Sequence, residues 1–147
     1  SDTFHVPVFA PHVTVLGDLH HAPAATISEC QSVFASNGPI EGTILQVKRS
    51  DLHFMSLFLD VTLTTDITAS RRSVSESLTG REPAPFRPHV SLAYGLSQDH
   101  VIAAEARAFI DSFIGQRIVF NTITVMTSAK KIPVTDWGTL ASISLNK

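Results

Sequence analysis

Apolar and polar residues alternate at the start of the chain. Val13 and Val15 are interleaved with His12 and Thr14, the period of a half-buried strand, and Pro11 suits the first position of such a strand. In "TISECQSVFASNG" the period changes. Ile27, Cys30, Val33 and Phe34 recur at helical spacing, with Thr26 and Glu29 as a capping box and Gly38 as a stop. "GTILQVKRS" and "LHFMSLFLDVTL" predict strands over 43–48 and 52–63, joined by a turn at "RSD". Residues 66–79 read as a helix with Ile67, Val74 and Leu78 on one side and Gly80 as its end signal. "REPAPFRP" predicts an extended, proline-stiffened approach to a strand over 89–94. "SQDHVIAAEARAFIDSFIG" gives the clearest helical pattern, capped near Ser97 or Asp99 and ended by Gly115. "QRIVFNTITVMTS" predicts a long strand, and "WGTLASISL" a last one.

Each half of the chain thus reads strand, helix, strand, strand. The second half is led into by an extra helix, 66–79, without a counterpart in the first. An internal duplication therefore predicts a further strand and helix ahead of Ser1, in keeping with an opening "SDTF" that lacks a methionine. With no low-complexity stretch or flexible linker between them, the halves are expected to be lobes of one domain, approximately 1–63 and 81–147, that exchange elements.

Composition narrows the class. The 147 residues suffice for one domain with a real core, and 44% hydrophobic with 16% charged residues fits a soluble globular chain rather than a disordered one. A formal net charge of −2, with basic residues scattered apart from Arg71-Arg72 and Lys130-Lys131, gives no footprint for long nucleic acid. The lone Cys30 excludes an internal disulfide and a cysteine-rich zinc site; it favours an intracellular protein and reads as a small apolar helix residue. No apolar run approaches membrane-spanning length, and no signal peptide is visible.

One pattern remains after the elements are assigned. "FAPHVTVLG" (9–17) and "FRPHVSLAYG" (86–95) share phenylalanine, proline, histidine and valine, then a hydroxyl (Thr14, Ser91) and an aliphatic residue (Val15, Leu92). Residues i and i+2 of a strand share a face, so His12 sits beside Thr14 and His89 beside Ser91. A single strand histidine is ordinarily just a satisfied polar residue. Two in matched settings form a chemical set. With an unperturbed pKa of ~6.5, one imidazole can be neutral and the other protonated at the same pH. One then takes a proton from water while the other delivers one to a leaving alkoxide, and the hydroxyls donate to phosphate oxygens. The set opens a phosphodiester without a metal or other cofactor. A zinc site needs a third ligand, which neither motif brings nearby. His20 and His21 read as an exposed loop; His5, His53 and His100 have no motif around them. Trp137 reads as core or as a lid over the last strand. Lys130 and Lys131 read as a solvated loop pair that can also meet a second phosphate.

"PHVT" and "PHVS" resemble the two H-x-[T/S] motifs of the two-histidine phosphoesterase superfamily. "FRPHVSLAYG" with "IPVTDWGTLASISL" is similar to its cyclic phosphodiesterase branch, known from fungi and plants, and the likeness spans almost the whole chain. It implies a bilobal α+β fold, two antiparallel sheets lining a central cleft with helices outside. It implies hydrolysis of nucleoside 2′,3′-cyclic phosphates to 2′-phosphates, and of ADP-ribose 1″,2″-cyclic phosphate, a by-product of tRNA splicing, to ADP-ribose 1″-phosphate. It implies His12 as general acid, His89 as general base, and Thr14 and Ser91 on the phosphate oxygens. It also implies that Tyr94 stacks on the base, whereas strict alternation puts Tyr94 on the Val90 face; a bulge near Gly95 reconciles the two, and core packing is the alternative. The expected partner is a small cyclic phosphate met by a cytoplasmic monomer, with no membrane. Two other readings of the same motifs are an RNA-end-processing enzyme (a 2′–5′ ligase or 3′ exonuclease) and a non-catalytic nucleotide-binding module.

Overall fold

The computed structural model of the chain describes residues 9–129 and 131–146. The elements run α1 (Pro23–Phe34), β1 (Ile40–Arg49), β2 (Leu57–Leu63), α2 (Thr68–Thr79), β3 (His89–Ala93), α3 (Ala104–Asp111), β4 (Arg117–Phe120), β5 (Thr122–Thr127) and β6 (Gly138–Ser144). The fold is α+β, with a four-stranded antiparallel sheet in the order β3-β2-β1-β4 and a two-stranded antiparallel sheet of β5 and β6. The chain divides into two compact units. The first takes the chain up to Thr14, then Gly42–Thr62 and Arg87–Ile118; the second takes Val15–Glu41, Leu63–Phe86 and Val119 onward.

In the first unit β2 lies between β1 and β3 and is apolar almost throughout. Leu57, Phe58, Leu59 and Val61 are buried, and Asp60 is its one charged residue. Against β3, Phe58 faces Ser91, Leu59 faces Val90 and Asp60 faces His89. One step further Leu57 faces Ala93, so Leu92 is an extra residue on β3. An extra residue of this kind bends a strand and switches the side to which later residues point. Gly115, at φ 82°, donates its N–H to the Ile44 carbonyl and so joins the start of β4 to β1.

The second unit packs α1 and α2 with β5 and β6. Cys30 and Phe34 of α1, Val74 of α2, Val125, Ile143 and Leu145 form a buried cluster with Ile40 and Ile67. Burial of side chains this size stabilises by about 1.5–3 kcal/mol each, offset by chain entropy. Cys30 is buried as its helical position predicts, and burial, with the charge of Glu29 adding, pushes its thiol pKa up. Arg71 is also buried: Nε donates to the Val15 carbonyl at 2.8 Å, Nη2 to Ala84 at 3.0 Å, and the guanidinium covers the Phe86 ring.

Several elements differ from the sequence expectation, each for a visible reason. Helix α1 begins at Pro23, whose fixed φ suits the first turn, so Thr26 lies inside the helix and bonds back to the Ala22 carbonyl; the capping box does not form. Helix α2 begins at Thr68, its N–H bonded to the Asp66 carboxylate, and ends at Gly80 in the left-handed conformation as expected. Helix α3 is only eight residues long. Arg49 donates to the carbonyls of Ser97 and His100, at 2.6 and 2.8 Å, and keeps them out of a helical ladder. Residues 53–55 form a short 3₁₀ turn ahead of β2. The long strand breaks at Asn121, whose carbonyl accepts the Leu145 N–H, leaving β4 and β5 in different sheets. No regular strand forms around His12; Val13 alone bridges to Val90. No helix among the described residues is long and apolar enough to cross a membrane.

Candidate functional site

The two histidine motifs lie side by side in the first unit. Val13 pairs with Val90 in antiparallel sense, a register that sets His12 across from Ser91 and Thr14 across from His89. The bridge brings the segment of His12 alongside that of His89. The same local bond holds both rings. His12 Nδ1 is 2.7 Å from the Ala10 carbonyl, and His89 Nδ1 is 2.8 Å from the Arg87 carbonyl. A carbonyl only accepts, so each Nδ1 carries the proton and each Nε2 is the nitrogen left for chemistry. The partner is in each case the residue before the proline, two positions ahead of the histidine.

The hydroxyls are less alike. Thr14 is exposed, while Ser91 is buried and donates to the Phe54 carbonyl at 2.6 Å. For Ser91 to donate to a bound anion, its Oγ–H must turn away from Phe54. Tyr94 follows the extra residue on β3 and points to the histidine side. Its hydroxyl lies 3.4 Å from His12 Nε2, at the long limit of a hydrogen bond. Burial raises the Tyr94 pKa, and a hydrogen bond with Ser91 opposes the rise. One face of the ring stacks on Phe9 at 4.1 Å, and Phe54 meets it edge-on. The register shift anticipated near Gly95 thus falls at Leu92, and it is the phenol oxygen of Tyr94, beside His12, that reaches the site.

A row of residues that the motifs did not reveal extends the same face. Phe58 sets its ring edge-on to His89 at 5.5 Å. Asp60, opposite His89, holds Lys48 Nζ at 2.9 Å and lies 3.7 Å from Arg87 Nε. Burial works against its charge, yet the Lys48 bond and charge, with Arg87 and Gln46 adding, keep its carboxyl below the usual range. A lone aspartate inside "LFLDVTL" was the available signal for this row. For Arg87 the signal was its spacing of two from His89.

The remaining histidines lie apart from this face or beside it. His53 flanks Tyr94 at 6.3 Å between ring centres and approaches Gly95 so closely that a Cβ there would stand 3.1 Å from its ring. His100 offers its carbonyl to Arg49. Exposed His20 and His21 line a pocket of ≈ 300 Å³ in the second unit with Asp18, Leu78, Thr79 and Arg81, far in kind from the motif chemistry. His5 and Lys130 lie outside the described residues, and Lys131 is exposed. Trp137 is half-buried and donates to the Ile132 carbonyl. Among the described residues no group of three or more histidine, cysteine, aspartate or glutamate side chains is placed to hold a metal ion. The chain matches no protein-family profile and no curated protein, so the chemistry of the site is read from these residues themselves.

Proposed function

We propose that the protein is a metal-independent cyclic phosphodiesterase. It hydrolyses nucleoside 2′,3′-cyclic phosphates to 2′-phosphates, and ADP-ribose 1″,2″-cyclic phosphate is a substrate of the same chemistry. The observation that carries the reading is the repeated Nδ1–carbonyl bond, which leaves Nε2 as the working nitrogen of each histidine on two segments bridged at Val13 and Val90. Neutral His89 takes a proton through Nε2 from water as the water attacks phosphorus. The bond from phosphorus to the 3′ oxygen breaks, and protonated His12 delivers its Nε2 proton to that oxygen. Each transfer contributes about 10²–10⁴-fold. The Tyr94 hydroxyl, a neutral phenol, can accept from protonated His12, which suits the acid role. Thr14, exposed beside His12, donates to a non-bridging oxygen, and Ser91 does so after turning from Phe54. The matching bonds in the two motifs also support descent of the two halves from a duplication.

The test is an EDTA-treated assay on nucleoside 2′,3′-cyclic phosphates beside a short RNA ending in a cyclic phosphate. Turnover of the nucleoside substrates is expected. Turnover of the RNA alone points to end-processing, and binding without turnover to a nucleotide sensor; either outcome overturns the reading.

A further inference from the structure

We infer that Arg87 is a second anion-binding point of this face, one that selects cyclic phosphates carrying a further phosphate away from the scissile one. The inference rests on the phosphodiesterase reading and adds to it what sits beside His89. The two motifs share the Nδ1–carbonyl bond and differ in the side chain two residues ahead of the histidine: Ala10 in the first, Arg87 in the second. Both residues give their carbonyls to a histidine, so the difference lies wholly in what the side chains present. The Arg87 guanidinium lies 5.1 Å from the centre of the Phe58 ring, and Phe58 in turn packs edge-on against His89. An aromatic face of this kind fixes the direction of a guanidinium without using its N–H donors.

The local charges do not cancel. Asp60 is the carboxylate between two cations, and it is in direct contact with Lys48 at 2.9 Å but 3.7 Å from Arg87. Two cations share one carboxylate, so the cluster is net positive, and Arg87 is the more exposed of the two at 54% against 37% for Lys48. A guanidinium in that state offers a fork of donors matched to phosphate oxygens. The paired segment supplies only Ala10 at the matching place, so a second phosphate is read on the His89 side alone. The class of ligand is a nucleotide with one phosphate at the 2′,3′ edge and another at the far end of the sugar, as on the 5′ carbon.

The probes are adenosine 2′-phosphate and adenosine 2′,5′-bisphosphate, measured by titration calorimetry at low and moderate salt. The wild-type chain should bind the bisphosphate at least about tenfold more tightly, a preference that salt weakens. Arg87→Gln keeps the backbone carbonyl that holds His89 and should erase the preference while leaving the monophosphate affinity within about twofold. Asp60→Asn, which frees a second cation, should increase the preference. Equal wild-type affinities for the two ligands, or an equal loss for both in Arg87→Gln, overturns the inference and leaves the phosphodiesterase reading standing. Failure of both ligands to bind the wild-type chain overturns the two together.

Discussion

A histidine held through Nδ1 is a reagent with one working end, and the residue two positions ahead decides its company. His12 and His89 share this arrangement, yet one has a phenol near Nε2 and the other a cation and a carboxylate along its strand pair. Neither ring duplicates the other, so His12→Ala and His89→Ala should each lower turnover by at least ~10²-fold with an unchanged circular dichroism spectrum. Near-normal rates in either variant would refute the division of labour. The hydroxyls should separate as well. Ser91→Ala removes a buried side chain's bond to Phe54 and should lower stability by about 0.5–1.5 kcal/mol in urea unfolding. Thr14→Ala, at an exposed position, should stay within about 0.5 kcal/mol of wild type and show its effect in kcat. Equal stability losses in the two would contradict this picture.

At the scale of elements, what was legible was what neighbouring residues decide. Gly80 ends α2, Cys30 turns inward on α1, and the alternation of "HVSLA" gives β3. What was not legible depended on partners far along the chain. Arg49 of β1 holds the carbonyls that shorten α3, Leu145 meets the break at Asn121, and β2 sets the register that makes Leu92 an extra residue. Arg71, one of two adjacent arginines in the sequence, is buried against two backbone carbonyls, a role its neighbours in sequence do not announce. In the candidate site the four motif residues were visible from spacing, whereas Asp60 and Lys48 join the face only through strand pairing. Gly95 closes the region after the register shift, at φ 65° with its N–H on the His53 carbonyl. Gly95→Ala meets both an unfavourable backbone and the His53 ring, so it should cost at least about 1–2 kcal/mol and lower the Tm. An unchanged Tm would show that this loop is not held as described.

At the scale of the whole chain, the groups whose pKa values shift on folding make stability depend on pH. Asp60 is held below the ordinary carboxylate range by Lys48, Arg87 and Gln46 against the opposing effect of burial. Asp66 is held low by the Thr68 N–H it caps, and by the Thr68 side chain. The unfolded chain binds these two protons near pH ~4, before the folded chain does. Stability from both is therefore complete above that pH and is lost as the pH falls through the lower folded values. Tyr94 acts at the other end: its folded pKa is raised, so its share is complete below pH ~10 and is lost as the pH rises through the folded value. Urea midpoints measured from pH 5 down to pH 2.5 should accordingly fall, and Asp60→Asn should flatten part of that fall while leaving the part due to Asp66. Lys48→Met should flatten it less than Asp60→Asn, because Arg87 remains near the carboxylate. If Asp60→Asn unfolds with the same acid slope as wild type, the ion cluster on the β2–β3 face does not hold Asp60 as its contacts indicate.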